Sequence, residues 1–76
     1  MEISLDCLRP GQEGVVSGVD TDEQLKVRLQ AFGMVPGTNV YCGYRSPGGS
    51  ITALEFRGTV VALRTRDMKK IRAQCV

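Results

Sequence analysis

Apolar and polar positions divide the chain into short segments of two kinds. Val15, Val16 and Val19, set among Gly14 and Gly18, read as a strand over residues 12–19 whose glycines mark a bulge or tight curvature. Leu25, Leu29 and Phe32 then recur at i, i+4 and i+7, the spacing of one helical face. This predicts a helix over 21–32 that turns those three side chains into the core. Thr21 as N-cap, with Gln24 three positions on, marks its start. Asp22 and Glu23 lie in its first turn, where carboxylates meet the positive end of the helix dipole. Its end falls at Gly33, a residue free to take the left-handed conformation that helix stops favour. Pro36-Gly37 then turns the chain into a strand.

Period-two alternation returns over 39–45, with Val40, Cys42 and Tyr44 on one side and Tyr41, Gly43 and Arg45 on the other. Ser46-Pro47-Gly48-Gly49-Ser50 is a turn, 51–56 a strand, and Arg57-Gly58 a break. The most β-prone hexamer follows at 59–64, then one helical turn near 66–70 and a final strand over 71–76. Leu5 to Leu8 form a short apolar opening, ended by Arg9-Pro10-Gly11. About five short strands and one helix form a mainly β fold in a single domain over 1–76. A small SH3-like barrel is the economical architecture, because closure removes exposed sheet edges, and the helix then plugs one end.

Ten Lys and Arg against eight Asp and Glu leave a formal charge of +2, too mild to imply nucleic acid on electrostatic grounds. No apolar run approaches a membrane span and no leader pattern opens the chain, so a cytoplasmic protein without direct membrane insertion is expected. Cys7, Cys42 and Cys75 are too few and too widely spaced for a disulfide framework, and read as reduced thiols. With no CxxC and no histidine, neither a structural metal site nor general acid–base catalysis is expected. Cys42 has no base partner and alternates on a strand face, so it is no nucleophile. Catalytic, cofactor and metal residues are accordingly expected to be none.

Of the four aromatics, Phe32 and Phe56 are expected in the core, and Tyr41 and Tyr44 fall on opposite faces of one strand. Only one tyrosine could then face outward, a poor stacking platform for single strands. Arg45, Arg57, Arg64, Arg66, Lys69, Lys70 and Arg72 concentrate in the second half and read as solvated surface beside Glu55 and Asp67. Protein binding remains. Met34 and Val35 either fold back onto the core or form an apolar tip rimmed by Lys26 and Arg28. The expected partner-binding set is Lys26, Arg28, Met34, Val35, Pro36 and Gly37.

The chain resembles the FeoA family over about residues 5–73. The resemblance rests on Leu8-Arg9-Pro10-Gly11-Gln12, Gly14-Val15-Val16, Arg28-Leu29, the run from Phe32 to Val40, Arg45-Ser46-Pro47-Gly48, Arg57-Gly58 and Ala62-Leu63-Arg64. It departs at Gly49-Ser50, where the family commonly has Asp-Pro after its Pro-Gly turn, and at Met68, where alanine is usual. The resemblance implies an SH3-like domain, shared with the C-terminal part of iron- and manganese-dependent repressors. It also implies an accessory role in bacterial Fe(II) uptake beside FeoB, a membrane permease with a cytosolic GTP-binding domain. Oligomeric state is left open, a homo-oligomer included. Two alternatives stand beside the adaptor. One is a metal-linked regulatory module holding Fe(II) or another divalent ion weakly through Cys7, Cys42, Cys75 or Glu55. The other is a small nucleic-acid-binding barrel.

Overall fold

The computed structural model describes residues 1–75. In chain order they form β1 (Glu2–Ser4), a 3-10 turn (Leu5–Cys7), β2 (Glu13–Val19), α1 (Glu23–Phe32), β3 (Asn39–Arg45), β4 (Ile51–Phe56), β5 (Thr59–Arg64), α2 (Thr65–Met68) and β6 (Ile71–Cys75). The expected final strand over 71–76 is thus found to Cys75, and Val76 lies outside the described residues. The strands make one antiparallel sheet in the order β1-β6-β2-β3-β4-β5. That is six strands rather than about five. The additional one pairs Glu2, Ile3 and Ser4 with Gln74, Ala73 and Arg72. Three residues with a single apolar member hold too little alternation to signal a strand.

β1 and β5 end the sheet, so the ladder is not closed into the expected barrel. Curvature comes instead from two bulges, between Val16 and Gly18 on β2 and between Cys42 and Tyr44 on β3. The core packs Leu5 and Leu8 with Val16, Leu29, Met34, Val40, Cys42, Leu54, Phe56, Met68 and Ile71.

The bulge at Gly43 corrects the expected phase of β3. Tyr41 faces Glu55 and Cys42 faces Leu54, but after the extra residue Tyr44 faces Ala53 and Arg45 faces Thr52. Tyr44 therefore joins Tyr41 on the outer face, 60% and 41% exposed, and Arg45 is the residue that turns inward. Its guanidinium Nη2 donates to the main-chain carbonyls of Leu8 (2.6 Å) and Asp6 (3.1 Å), and Nε donates to Thr52 Oγ1 (3.2 Å). A residue expected among solvated charges thus ties the Leu5–Cys7 turn to the sheet.

The helix also differs at both ends. Asp22, not Thr21, is the N-cap, because its Oδ1 accepts from Leu25 N–H at 2.9 Å and its charge sits at the helix's positive end. At the other end Gly33 takes φ 98°. Gly33 N–H donates to Gln30 C=O (3.0 Å) and Met34 N–H to Leu29 C=O (2.8 Å), the paired bonds of a Schellman stop. The stop turns Met34 into the core, where it is 0% exposed, whereas Phe32, expected in the core, stands 46% exposed.

Thr38 locks the corner that follows. Buried, it donates from Oγ1 to Gly33 C=O (2.8 Å) and accepts there from Val35 N–H (3.3 Å). Gly37 N–H donates to Val16 C=O (2.7 Å), and Val16 N–H donates to Thr38 C=O (2.9 Å). The helix-to-strand corner is thereby bonded to β2.

Candidate docking site at the helix and the edge strand

Three depressions stand out on the surface of the described residues. One, of about 340 Å³, separates α1 from β5. From α1 it takes Leu25, Arg28 and the exposed part of Phe32, and from β5 the four consecutive residues Val61–Arg64. Arg66 and Asp67 of α2 close its far end and Asp22 its near end. Alternate residues of a strand point to opposite faces, so a hollow lined by four in succession runs along the strand's backbone edge. The second, of about 520 Å³, adjoins it through Arg64 and Arg66 and adds Ile51 and Lys69.

The third, of about 210 Å³, lies at the helix-to-strand corner and is lined by Val19, Lys26, Gln30, Met34, Val35 and Pro36. It gathers four of the six expected partner-binding residues: Lys26, Met34, Val35 and Pro36. Gly37 stands exposed in the adjoining turn, while Arg28 lines the α1–β5 cleft instead. Of the two alternatives for the corner, Met34 takes the first and lies beneath the surface, whereas Val35 is half-buried. A Met34→Asp change would therefore place a carboxylate in the core rather than probe a surface. Phe32, Val61, Arg64 and Arg66, which the expected set leaves out, line a larger hollow. The sequence signal for Val61, Arg64 and Arg66 was the β-prone hexamer 59–64 followed by closely spaced cations.

Neither the cysteines nor the carboxylates assemble a reactive centre. Among the described residues no three of His, Cys, Asp and Glu come together. Cys7, Cys42, Cys75 and Glu55 therefore do not fit a metal site within one chain. Burial pushes the Cys42 thiol above its ordinary value of 9.0, with the nearby Arg45 charge acting the other way. Among the described residues no disulfide joins the cysteines, and Cys7 and Cys75 are exposed. The outer face of the sheet sets Tyr41 between Glu13 and Glu55, an arrangement that repels a phosphate backbone.

Residues 3–75 match the family model of the FeoA domain. The chain belongs to the FeoA family. No curated protein sequence matches it. The solution structure of FeoA from Chlorobium tepidum has the same fold, with a TM-score of 0.94 at 20% identity over 97% of this chain and 70% of that one. FeoA from Stenotrophomonas maltophilia, solved with zinc, aligns at a TM-score of 0.83 and 25% identity over 95% of this chain and 89% of that one. It is described as a prokaryotic SH3 domain protein and a candidate activating factor of ferrous iron transport. A manganese-dependent transcriptional repressor aligns at 0.85 and 17% identity over 99% of this chain but only 42% of the repressor. This FeoA-family fold is therefore SH3-like, and the same fold makes up part of that larger repressor. Among the described residues no helix is long and apolar enough to cross a membrane.

Proposed function

We propose that this FeoA-family chain is a small cytosolic accessory protein of bacterial Fe(II) uptake. It docks on the cytosolic part of a FeoB-type permease and modulates transport. The observation that carries the reading is the FeoA domain match over residues 3–75. The surface supports it: hollows that combine apolar side chains with an excess of cations suit contact with protein, and among the described residues no group of three or more Cys, Asp or Glu is placed to hold a metal ion. Among the described residues the metal-linked alternative finds no donor set, and the nucleic-acid alternative, although Tyr41 and Tyr44 both stand exposed, meets Glu13 and Glu55 on either side of Tyr41.

Titration calorimetry of the purified chain against the cytosolic domain of the FeoB from the same organism tests this directly. Saturable heat is expected, together with lower Fe(II) uptake in cells lacking the chain. Absence of binding together with unchanged uptake would overturn the reading.

A further inference from the structure

β5 is an edge strand with half of its main-chain groups turned outward, and the register says which half. Arg57 and Gly58, at φ 53° and 75°, form a two-residue turn of the type that closes hairpins. Phe56 and Thr59 flank it as a hydrogen-bonded pair. Such pairs alternate along an antiparallel ladder, so Thr59, Val61 and Leu63 bond to β4 and Val60, Ala62 and Arg64 do not. The same parity holds at the other end, where Thr65 N–H donates to Ser50 C=O at 2.9 Å, two steps beyond Leu63. The N–H and C=O groups of Val60, Ala62 and Arg64 therefore face the hollow side of the strand, away from β4.

At the sheet's other end β1 is only three residues long and carries Glu2, both of which discourage strand addition. β5 is guarded less, because its one charged residue, Arg64, lies at its C-terminal end. It is six residues long, its Val60 is 67% exposed, and its outward edge borders the cleft facing α1. The side chains around that edge are of two kinds. Phe32, Val61 and Ile51 are apolar, while Arg28, Arg64, Arg66 and Lys69 are cationic. Asp22 and Asp67 are the opposing charges, and Asp22 already accepts from the Leu25 amide.

We propose that the β5 edge is a peptide-recognition site. It takes one extended segment of a partner protein, rich in Asp or Glu alternating with apolar residues, as a seventh strand lying between β5 and α1. Main-chain bonds to Val60 and Ala62 give affinity, the apolar side chains of the segment enter the cleft against Phe32 and Val61, and its carboxylates meet Arg28, Arg64 and Arg66. Four cations against two carboxylates select acidic over basic segments. This rests on the adaptor reading for the partner's identity, but the recognition chemistry stands apart from it.

The probe is a synthetic peptide alternating glutamate and valine, added to the 15N-labelled chain, with its glutamine counterpart as control. Amide shifts centred on Val60, Ala62 and Arg64, slower hydrogen exchange at Val60 and Ala62, and weaker binding of the glutamine peptide are expected. Ala62→Pro removes an outward N–H without breaking a bond to β4, as edge strands tolerate, and should weaken binding by about tenfold or more. Arg64→Glu, at an exposed position, should weaken it as well while leaving the spectrum folded. Absence of shifts at millimolar peptide, or shifts centred on Lys26, Gln30 and Val35, would overturn the proposal. So would sedimentation showing that β5 is occupied by a second copy of the chain. The FeoB domain serves as a separate arm. If it binds with shifts away from β5, the adaptor stands and the edge site falls. If the peptide binds at β5 and the FeoB domain does not bind at all, the edge site stands and the adaptor falls.

Discussion

At Gly33 the backbone lies at φ 98°, and a Cβ placed there would come within 2.6 Å of Arg57 Cδ. Gly33→Ala therefore meets two separable obstacles, the left-handed conformation and the arginine stem. The first costs about 1–2 kcal/mol for a residue with a Cβ. The second is relieved when a flexible side chain moves. Urea denaturation of Gly33→Ala alone and in an Arg57→Ala background should show the loss shrinking in the double variant without vanishing. Thr38 offers a complementary case. Thr38→Val keeps the shape but leaves Gly33 C=O and Val35 N–H without their hydroxyl partner, at a cost of about 2 kcal/mol in the same measurement. Gly33 could be located from the sequence because a helix stop demands it. Thr38 could not, because its partners lie three and five residues away in a loop, and no periodicity records a hydrogen bond.

Among the elements, the β3–β4–β5 run and α1 were legible because their apolar spacing is regular. The departures come where one residue breaks the count. Gly43 adds a step to β3, which moves Tyr44 out and brings Arg45 in. The period of two, applied without that step, assigns both residues to the wrong face. The consequence reaches the 3-10 turn, since Arg45 spans from β3 to the carbonyls of Asp6 and Leu8, 39 and 37 positions earlier. Arg45→Met keeps an unbranched stem and removes all three donors. Global stability should fall by about 2 kcal/mol, within the range for hydrogen bonds from charged groups. Exchange of the Leu8 amide, which bonds Leu5 C=O at 3.1 Å, should accelerate beyond that global change if the turn loosens locally. Equal acceleration everywhere would mean that Arg45 supports the sheet as a whole and not the turn. The proposed docking residues were less legible than the elements for a related reason. Lys26, Val35 and Pro36 adjoin through the corner, whereas Arg28 and Phe32 meet β5 only across a cleft between elements distant in sequence.

For the whole molecule, the absence of histidine from the sequence shapes its response to pH. Histidine is the only side chain whose ordinary pKa places a charge change between about pH 5 and 8. Stability should therefore change little from about pH 6 to 8. Above that range Cys42 sets a slope. Its thiol is raised by burial in the folded chain, so as pH climbs past 9.0 the unfolded state loses that proton while the folded state keeps it. The unfolded state then binds fewer protons, and stability falls by up to about 1.4 kcal/mol per pH unit until the folded thiol itself ionises. Below 9.0 the contribution is fully present. Cys42→Ala removes the titrating group and leaves a small cavity costing about 1 kcal/mol. Its denaturation curve should start lower at pH 7 and converge on the wild-type curve as pH rises towards 10. Curves that stay parallel would show that Cys42 meets solvent equally in both states, against its place in the core between Val40 and the bulge.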